Sequence, residues 1–375
     1  MTLIHSSTRH HPGHQAFAPG DDATVAAVED RIAQTLDSLR TMWADLASAV
    51  VPRDGVLHTD SVIELLEGMV HSGGKRFRPR MAHWGWVAAG GQRTGAGHAD
   101  LVTVGAALEL LHVFALIHDD VMDGSETRRG LASVHASARE QHVRLHGIGE
   151  PQRYGENIAI LAGDLAHSEA GLLVATLPGP LQNLWRTLSV ELMMGQGRDL
   201  VGAANGRRDL AHAREIARAK SGAYTVWRPL QLGAVAAGAG PLTLAALERY
   251  GVAVGEAFAL RDDILGVIGD SVATGKPVGD DILAGKPTVL MALAAQRFAP
   301  RWQRALRRAA DGHASGRLVA ALQAEFVASG VIAEVEAMIH DAVASARLAL
   351  DDPAIDRAAA PGLDALARRV AWRNA

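Results

Sequence analysis

Apolar residues recur at three-and-four spacing from Ala23 onward, as in AAVEDRIAQTLDSLRTMWADLASAV, which is the repeat of an amphipathic helix. The same pattern predicts helices over 61–70, 75–89, 99–124, 131–143, 156–176, 180–200, 208–238, 242–267, 287–297, 301–310, 315–349 and 361–373. Ala and Leu dominate these stretches, and period-two runs rich in Val, Ile and Thr are missing, so the expected fold class is all-α. Gly-bearing polar pieces at 144–156, 202–209 and 269–287 read as loops between helices. No fixed-period repeat points to a solenoid. Residues 1–22, with His5, His10, His11 and His14, lack apolar periodicity and read as a mobile His-rich tail ahead of a single all-α domain over 23–375.

The stretch LVTVGAALELLHVFALI, Leu101 to Ile117, approaches the ~20 apolar residues that a membrane span needs. Glu109 and His112 interrupt it and aspartates follow at once, so a central helix buried in protein is expected, with no membrane span. Composition narrows the picture further. With 48% hydrophobic and 21% charged residues the chain can bury a large core, which excludes disorder throughout. A net charge of -4, mixed in sign along the chain, gives no nucleic-acid surface. The cysteine count of 0 rules out disulfides, thiolate nucleophiles and thiolate metal sites. The opening MTLIHSSTRHHPGHQ has no apolar signal core, so a cytoplasmic location is the expectation.

The candidate chemistry begins at LIHDDVMD, where the apolar run delivers Asp119, Asp120 and Asp123. On a helix Asp119 and Asp123 are neighbours on one face and Asp120 is rotated aside, so their charges repel unless something compensates them. Either the helix end is solvated, or a hard divalent cation completed by water and phosphate supplies the compensation. A second acidic group, Asp262 and Asp263 with Asp270 beyond, follows another apolar run, although Gly266 stands four places after Asp262. Basic residues occur where an anion site would use them: Lys75, Arg76, Arg78 and Arg80 behind Gly73 and Gly74, then Arg128 and Arg129, Lys220, Lys276 and Lys286. Arg can grip phosphate oxygens in a fork and Lys acts as a compact charge. Together the two sets point to diphosphate bound through Mg²⁺ on one side and held directly by Arg and Lys on the other.

In order along the chain, GGKRFRP, ELLHVFALIHDDVMDGSETRRG, ILAGD, MGQGRDL, KSGAYT, LRDDILGVIGD and GKPVGDDILAGKPT resemble the trans-isoprenyl diphosphate synthases, the polyprenyl synthetase family. The likeness is to short-chain geranylgeranyl diphosphate synthases of high-GC actinobacteria. It implies an antiparallel helical bundle around a deep central cavity, usually a homodimer. It also implies that Asp119 and Asp123 ligate two Mg²⁺ ions and Asp262 a third, with Asp120 and Asp263 in support. Lys75, Arg78, His112 and Arg129 would bind isopentenyl diphosphate. Arg128, Lys220, Lys276 and Lys286 would hold the allylic diphosphate, with Ser221 where the family commonly has Thr. The implied reaction ionises the allylic diphosphate, attacks the cation with the isopentenyl double bond and loses a proton to the released diphosphate, so His112 and His118 are assigned no base role. Two departures are Ala259, where many members have Gln, and Gly266 in the second acidic motif.

Product length is expected to follow Phe114 and Ala115, roughly 6 to 8 Å below the metals at the helical rise. An aromatic residue at 114 with a small one at 115 resembles synthases of the twenty-carbon product, with the fifteen-carbon farnesyl diphosphate as the alternative. Competing readings are a class I terpene cyclase, which has no use for a second diphosphate site, and a non-catalytic partner subunit, which tends to lose the first acidic cluster.

Overall fold

A computed structural model describes residues 20–47, 57–92, 95–269, 279–310, 312–313 and 315–373. Most of the His-rich segment, Asp270 and Lys276 lie outside these described residues. The tail boundary at 22 is too late: Asp21 is fully buried and accepts bonds from Arg80 and from the Trp84 indole at 3.1 Å. Arg80 also pairs with Asp22 at 2.9 Å, so this arginine fastens the chain entry rather than serving an anion site.

The elements are α1 (Asp22–Ala47), α2 (Ser61–His71), α3 (Phe77–Ala88), α4 (Ala96–Asp123), α5 (Val134–Arg144), α6 (Pro151–Ala175), α7 (Gly179–Ala204) and α8 (Leu210–Ile216). A π-helix (Ala217–Trp227) continues into α9 (Arg228–Ala236) and then α10 (Pro241–Ile268). The remainder is α11 (Asp280–Leu283), α12 (Val289–Arg297), α13 (Pro300–Ala310), α14 (Gly316–Ala328), α15 (Val331–Ala349) and α16 (Ala360–Ala371). Strand among the described residues is confined to Thr127–Arg128 paired with Leu131–Ala132, a small antiparallel turn just after α4.

Three sequence expectations shift for local reasons. The loop at 144–156 is shorter than expected, because Pro151 starts α6 and the Glu150 carboxylate caps it by accepting the amides of Gln152 and Arg153. The stretch 315–349 breaks at Gly330, whose φ of 77° belongs to the left-handed region, and α14 and α15 meet at 57°. The run 208–238 is helical from Leu210 to Ala236, but its middle eleven residues form the π-helix between two short α-helices.

Buried side chains gather in three clusters. The first joins α1, α2, α4, α6 and α7, and α4 buries Leu101, Leu108, Leu110, Leu111 and Ile117 in it. The second packs the end of α10 against α12, α14 and α15, and the third packs the start of α10 against α3, α9 and α16. α4 and α6 are each long and apolar enough to cross a membrane, but 72% of the apolar window of α4 is buried inside the protein. α4 is therefore the central helix that the interrupting Glu109 and His112 foretold. It and α10 end near one another and carry the two acidic clusters to one cavity.

Candidate active site

The cavity holds about 410 Å³ and is walled by α4, α7, the π-helix, α10 and the segment from Asp281 to Thr288. Asp119, Asp262 and Asp263 line it, as do Arg78, His112, Ala115, Arg128, Lys220, Ser221 and Lys286. Residues far apart in sequence thus converge as the charge pattern required.

Every carboxylate of the expected metal set stands beside a cation. Asp119 accepts from Lys220 Nζ at 3.0 Å and from Gln196 Nε2 at 3.2 Å. Asp123 accepts from Lys286 Nζ at 2.6 Å, and Asp262 pairs with Arg373. Burial alone would lower the Lys220 and Lys286 ammonium groups, but the neighbouring carboxylates outweigh it and hold both above the ordinary lysine value. Asp119 and Asp199 do this for Lys220, and Asp281 and Asp123 for Lys286.

Among the described residues no three acidic or imidazole side chains gather closely enough to cage a metal by themselves. That suits Mg²⁺, which keeps waters and takes one or two carboxylates together with substrate phosphates. Asp119 and Asp262 offer such oxygens in the cavity lining and Asp123 beside it, so the donor set fits a metal shared with a diphosphate.

The other two aspartates have supporting positions. Asp120 is buried and receives Arg128 Nε at 3.0 and 3.1 Å on its two oxygens, which aims that guanidinium. Asp263 accepts the Val289 amide at 2.9 Å and caps α12, with burial and then Asp281 pushing its carboxyl far above the usual range. It thereby anchors the loop bearing Lys286.

A cationic cluster borders the same cavity. Arg78 is buried, donates to Thr225 Oγ1 at 2.9 Å and stacks over the Tyr224 ring at 4.1 Å. Arg76 reaches the buried Glu109 at 2.9 Å. Arg129 donates to Ser72 Oγ at 3.0 Å and to the Gly73 carbonyl, so it braces the loop before α3 beside the cavity. Arg76 and Arg129 both hold left-handed backbone, at φ 49° and 53°, a cost that non-glycine residues carry mainly at functional sites. His112 is kept neutral by burial and then by the Arg78, Arg129, Arg128 and Arg76 charges. Burial, then Arg373 and Arg369, lowers the Lys75 ammonium to about 8. Positive charge exceeds its local compensation here, as a site for an anion requires.

Lys75, Arg129 and Asp123 flank the cavity without lining it. Phe114 also differs from its expected place: its ring lies against His118 at 4.6 Å and His167 at 4.8 Å, behind the wall. Ala115 and Leu116 line the cavity instead, because successive helical residues rotate and only part of the turn can face one space. His118 keeps the structural role expected for it, 3.2 Å from the Ile160 carbonyl.

Four lining or pairing residues escaped the sequence reading. Gln196 and Asp199, one turn apart on α7, reach Asp119 and Lys220, the latter at 2.5 Å, and both sat inside the quoted MGQGRDL. Arg373 comes from the far end of the chain and carries no motif signal. Asp281 explains Gly266, since a Cβ added at 266 would lie 2.0 Å from the Asp281 carboxylate. Asp281 thus occupies the space that an aspartate at 266 would take. Gly266→Asp, which would restore the acidic motif, is therefore expected to lower kcat about tenfold by steric conflict and like-charge repulsion. Steady-state assay of the variant checks this, and a gain in activity would contradict it.

Three comparisons say which proteins this chain resembles. The solved geranylgeranyl pyrophosphate synthase of Corynebacterium glutamicum, crystallised with isoprenyl diphosphate and magnesium, superposes with a TM-score of 0.86 at 36% identity, covering 94% of this chain and 99% of that one. The geranylfarnesyl diphosphate synthase of Aeropyrum pernix is 34% identical over 62% of this chain and 70% of its own length. The geranylgeranyl diphosphate synthase of Mycobacterium tuberculosis is 34% identical over 58% of this chain and 57% of its own. The family model for polyprenyl synthetase matches residues 59–324, a span that contains both acidic clusters and the cationic cluster. On this agreement of fold, site and sequence, the chain belongs to the polyprenyl synthetase family.

Proposed function

We infer that the protein is a trans-prenyltransferase that condenses isopentenyl diphosphate with an allylic diphosphate, yielding mainly geranylgeranyl diphosphate. The observation that carries this reading is the pairing of two unlike anion sites on one cavity. At one, carboxylates call for a metal between protein and phosphate; at the other, Arg78 and its neighbours would meet an anion directly. A cyclase would need only the first.

Mg²⁺, three ions in this proposal, supplies the charge that makes the allylic diphosphate a good leaving group. Asp119 and Asp123 would hold two of the ions and Asp262 the third. Arg128, Lys220 and Lys286, now paired with aspartates, turn to the phosphate oxygens of the allylic substrate, with Ser221 beside them and Lys276 from outside the described residues. Arg78, Lys75 and Arg129 take the isopentenyl diphosphate, with neutral His112 donating a hydrogen bond rather than charge. Leu116, Leu192 and Ala115 give the cavity apolar lining against which the growing chain would lie.

A homodimer belongs to the same proposal. Val190, Met193, Met194 and Val201 make an exposed apolar stripe on α7, and Leu161 and Leu172 do so on α6. Patches of this kind on a surface mark interfaces. Sedimentation of Met194→Glu alongside the unaltered chain tests it, and identical monomeric behaviour of both would remove it.

Lys75 gives a pH dependence. With its ammonium lowered to about 8, the free enzyme loses that charge as pH rises from 7 to 9. KM for isopentenyl diphosphate is expected to climb several-fold over that range, and Lys75→Arg is expected to flatten the rise because guanidinium stays charged. A wild-type KM that stays level would count against a role for Lys75 in binding.

The functional test is product analysis with Mg²⁺, isopentenyl diphosphate and each of three allylic primers. A predominantly twenty-carbon alcohol after hydrolysis is expected, shortened in Ala115→Phe. Absence of elongation with every primer would overturn the reading.

A further inference from the structure

Behind the π-helix lies a second cavity, of about 220 Å³. Gly222, Ala223 and Trp227 of the π-helix form one wall, and Gly255 and Leu260 of α10 form another. The two helices touch at a bare point: a Cβ on Gly222 would stand 2.9 Å from the Gly255 carbonyl oxygen, and the cavity lies beside that contact. Ala217 lines both cavities, so the π-helix is a single-layer partition between this space and the residues around Lys220.

Its polar groups select a ligand class. The Trp227 side chain is 7% exposed and its indole N–H is buried without an acceptor, a donor that a ligand oxygen would satisfy. Arg214 and Arg218 also line the space, Arg218 lying 5.6 Å from the Trp227 ring. Arg228, stacked over that ring at 3.9 Å, is already engaged by Glu191 and Gln231. The acid in the lining is Glu256, at 3.8 Å from Arg214. Apolar walls, an orphan donor and two guanidinium groups suit an anionic head on an apolar tail.

We propose that this back cavity is a second, metal-independent binding site for a prenyl diphosphate, the tail lying against Ala223, Trp227 and Leu260 and the head meeting Arg214 and Arg218. The identity of the ligand rests on the proposed condensation, whose product has that chemistry. Glu256 is a single carboxylate and would hold no Mg²⁺, so binding here persists when metal is removed. The front cavity keeps its own arginines without metal, so the mark of the back site is binding in EDTA that depends on Arg214 and Arg218.

The test is equilibrium dialysis of geranyl diphosphate, whose ten-carbon tail suits a cavity of about 220 Å³, against the full chain in excess EDTA. Saturable binding is expected, weakened at least tenfold in the double variant Arg214→Glu, Arg218→Glu and several-fold in Trp227→Phe, which keeps the ring but removes the donor. Both arginines are surface residues outside the catalytic cavity, so the double variant should keep its circular dichroism and its kcat at low conversion. No saturable binding in EDTA, or undiminished binding in the double variant, would overturn the site. A chain whose binding in EDTA is lost in the double variant, yet which fails to condense, would refute the proposed reaction and leave the back cavity's anion preference standing. The converse result would remove only the second site.

Discussion

Asp119→Asn is expected to lower kcat by about a thousandfold or more, with little change in thermal midpoint. Asp119 sits where Lys220, Gln196 and Arg128 converge, the last at 3.8 Å, so it is the most heavily compensated acid in the cavity. Its replacement removes an anchor for the charge that ionisation of the allylic diphosphate calls for, and loss of one such preorganised electrostatic group typically costs a factor of about a hundred to a thousand. It also leaves Lys220 with Asp199 alone, which pulls the ammonium away from the position of the substrate phosphate. Rapid-quench measurement of the first turnover separates the chemical step from product release. A kcat within tenfold of wild type would show that the metal side of the cavity is assigned wrongly.

Arg78→Lys is expected to raise KM for isopentenyl diphosphate far more than KM for the allylic primer. Arg78 is buried, bonded to Thr225 and stacked on Tyr224, so its guanidinium is held with almost no freedom. A lysine keeps the charge but loses the fork and the stack. Truncating one partner of a buried charged hydrogen bond costs about 2 to 5 kcal/mol, and a loss of about 3 kcal/mol is about a hundredfold in kcat/KM. The two KM values measured side by side check the assignment. Equal increases in both would mean that Arg78 supports the cavity as a whole instead of one subsite.

How much of this was legible beforehand depended on whether the signal was local. The helix ends at Asp123 and Ile268 could be read because apolar periodicity and the acidic clusters lie in the same stretch. Asp119, Asp262, Lys220 and Lys286 meet in space as the charge bookkeeping of the sequence demanded. Arg80 looked like part of the same basic loop as Arg78, yet it faces Asp21; two residues on, a helix has turned by more than half a circle. Asp281 and Arg373 could not be found from spacing, since their roles arise from long-range packing that puts one against Gly266 and the other against Asp262. Nor does periodicity distinguish a π-helix from an α-helix over eleven residues. The segment packs closely on both sides: a Cβ on Gly195 would come within 2.6 Å of the Lys220 backbone, and one on Gly222 within 2.9 Å of Gly255. Phe114 was misplaced because a rise per residue gives depth along α4 but not which face of the helix meets the cavity.

The most direct test of the central claim follows a radiolabel from isopentenyl diphosphate into acid-labile prenyl diphosphate. The two-site account predicts that transfer requires Mg²⁺ and an allylic primer together, and that Arg78→Lys reduces it when isopentenyl diphosphate is limiting. Release of diphosphate from the primer alone, with the label remaining in isopentenyl diphosphate, would contradict it and mark the cavity as one that ionises a single substrate.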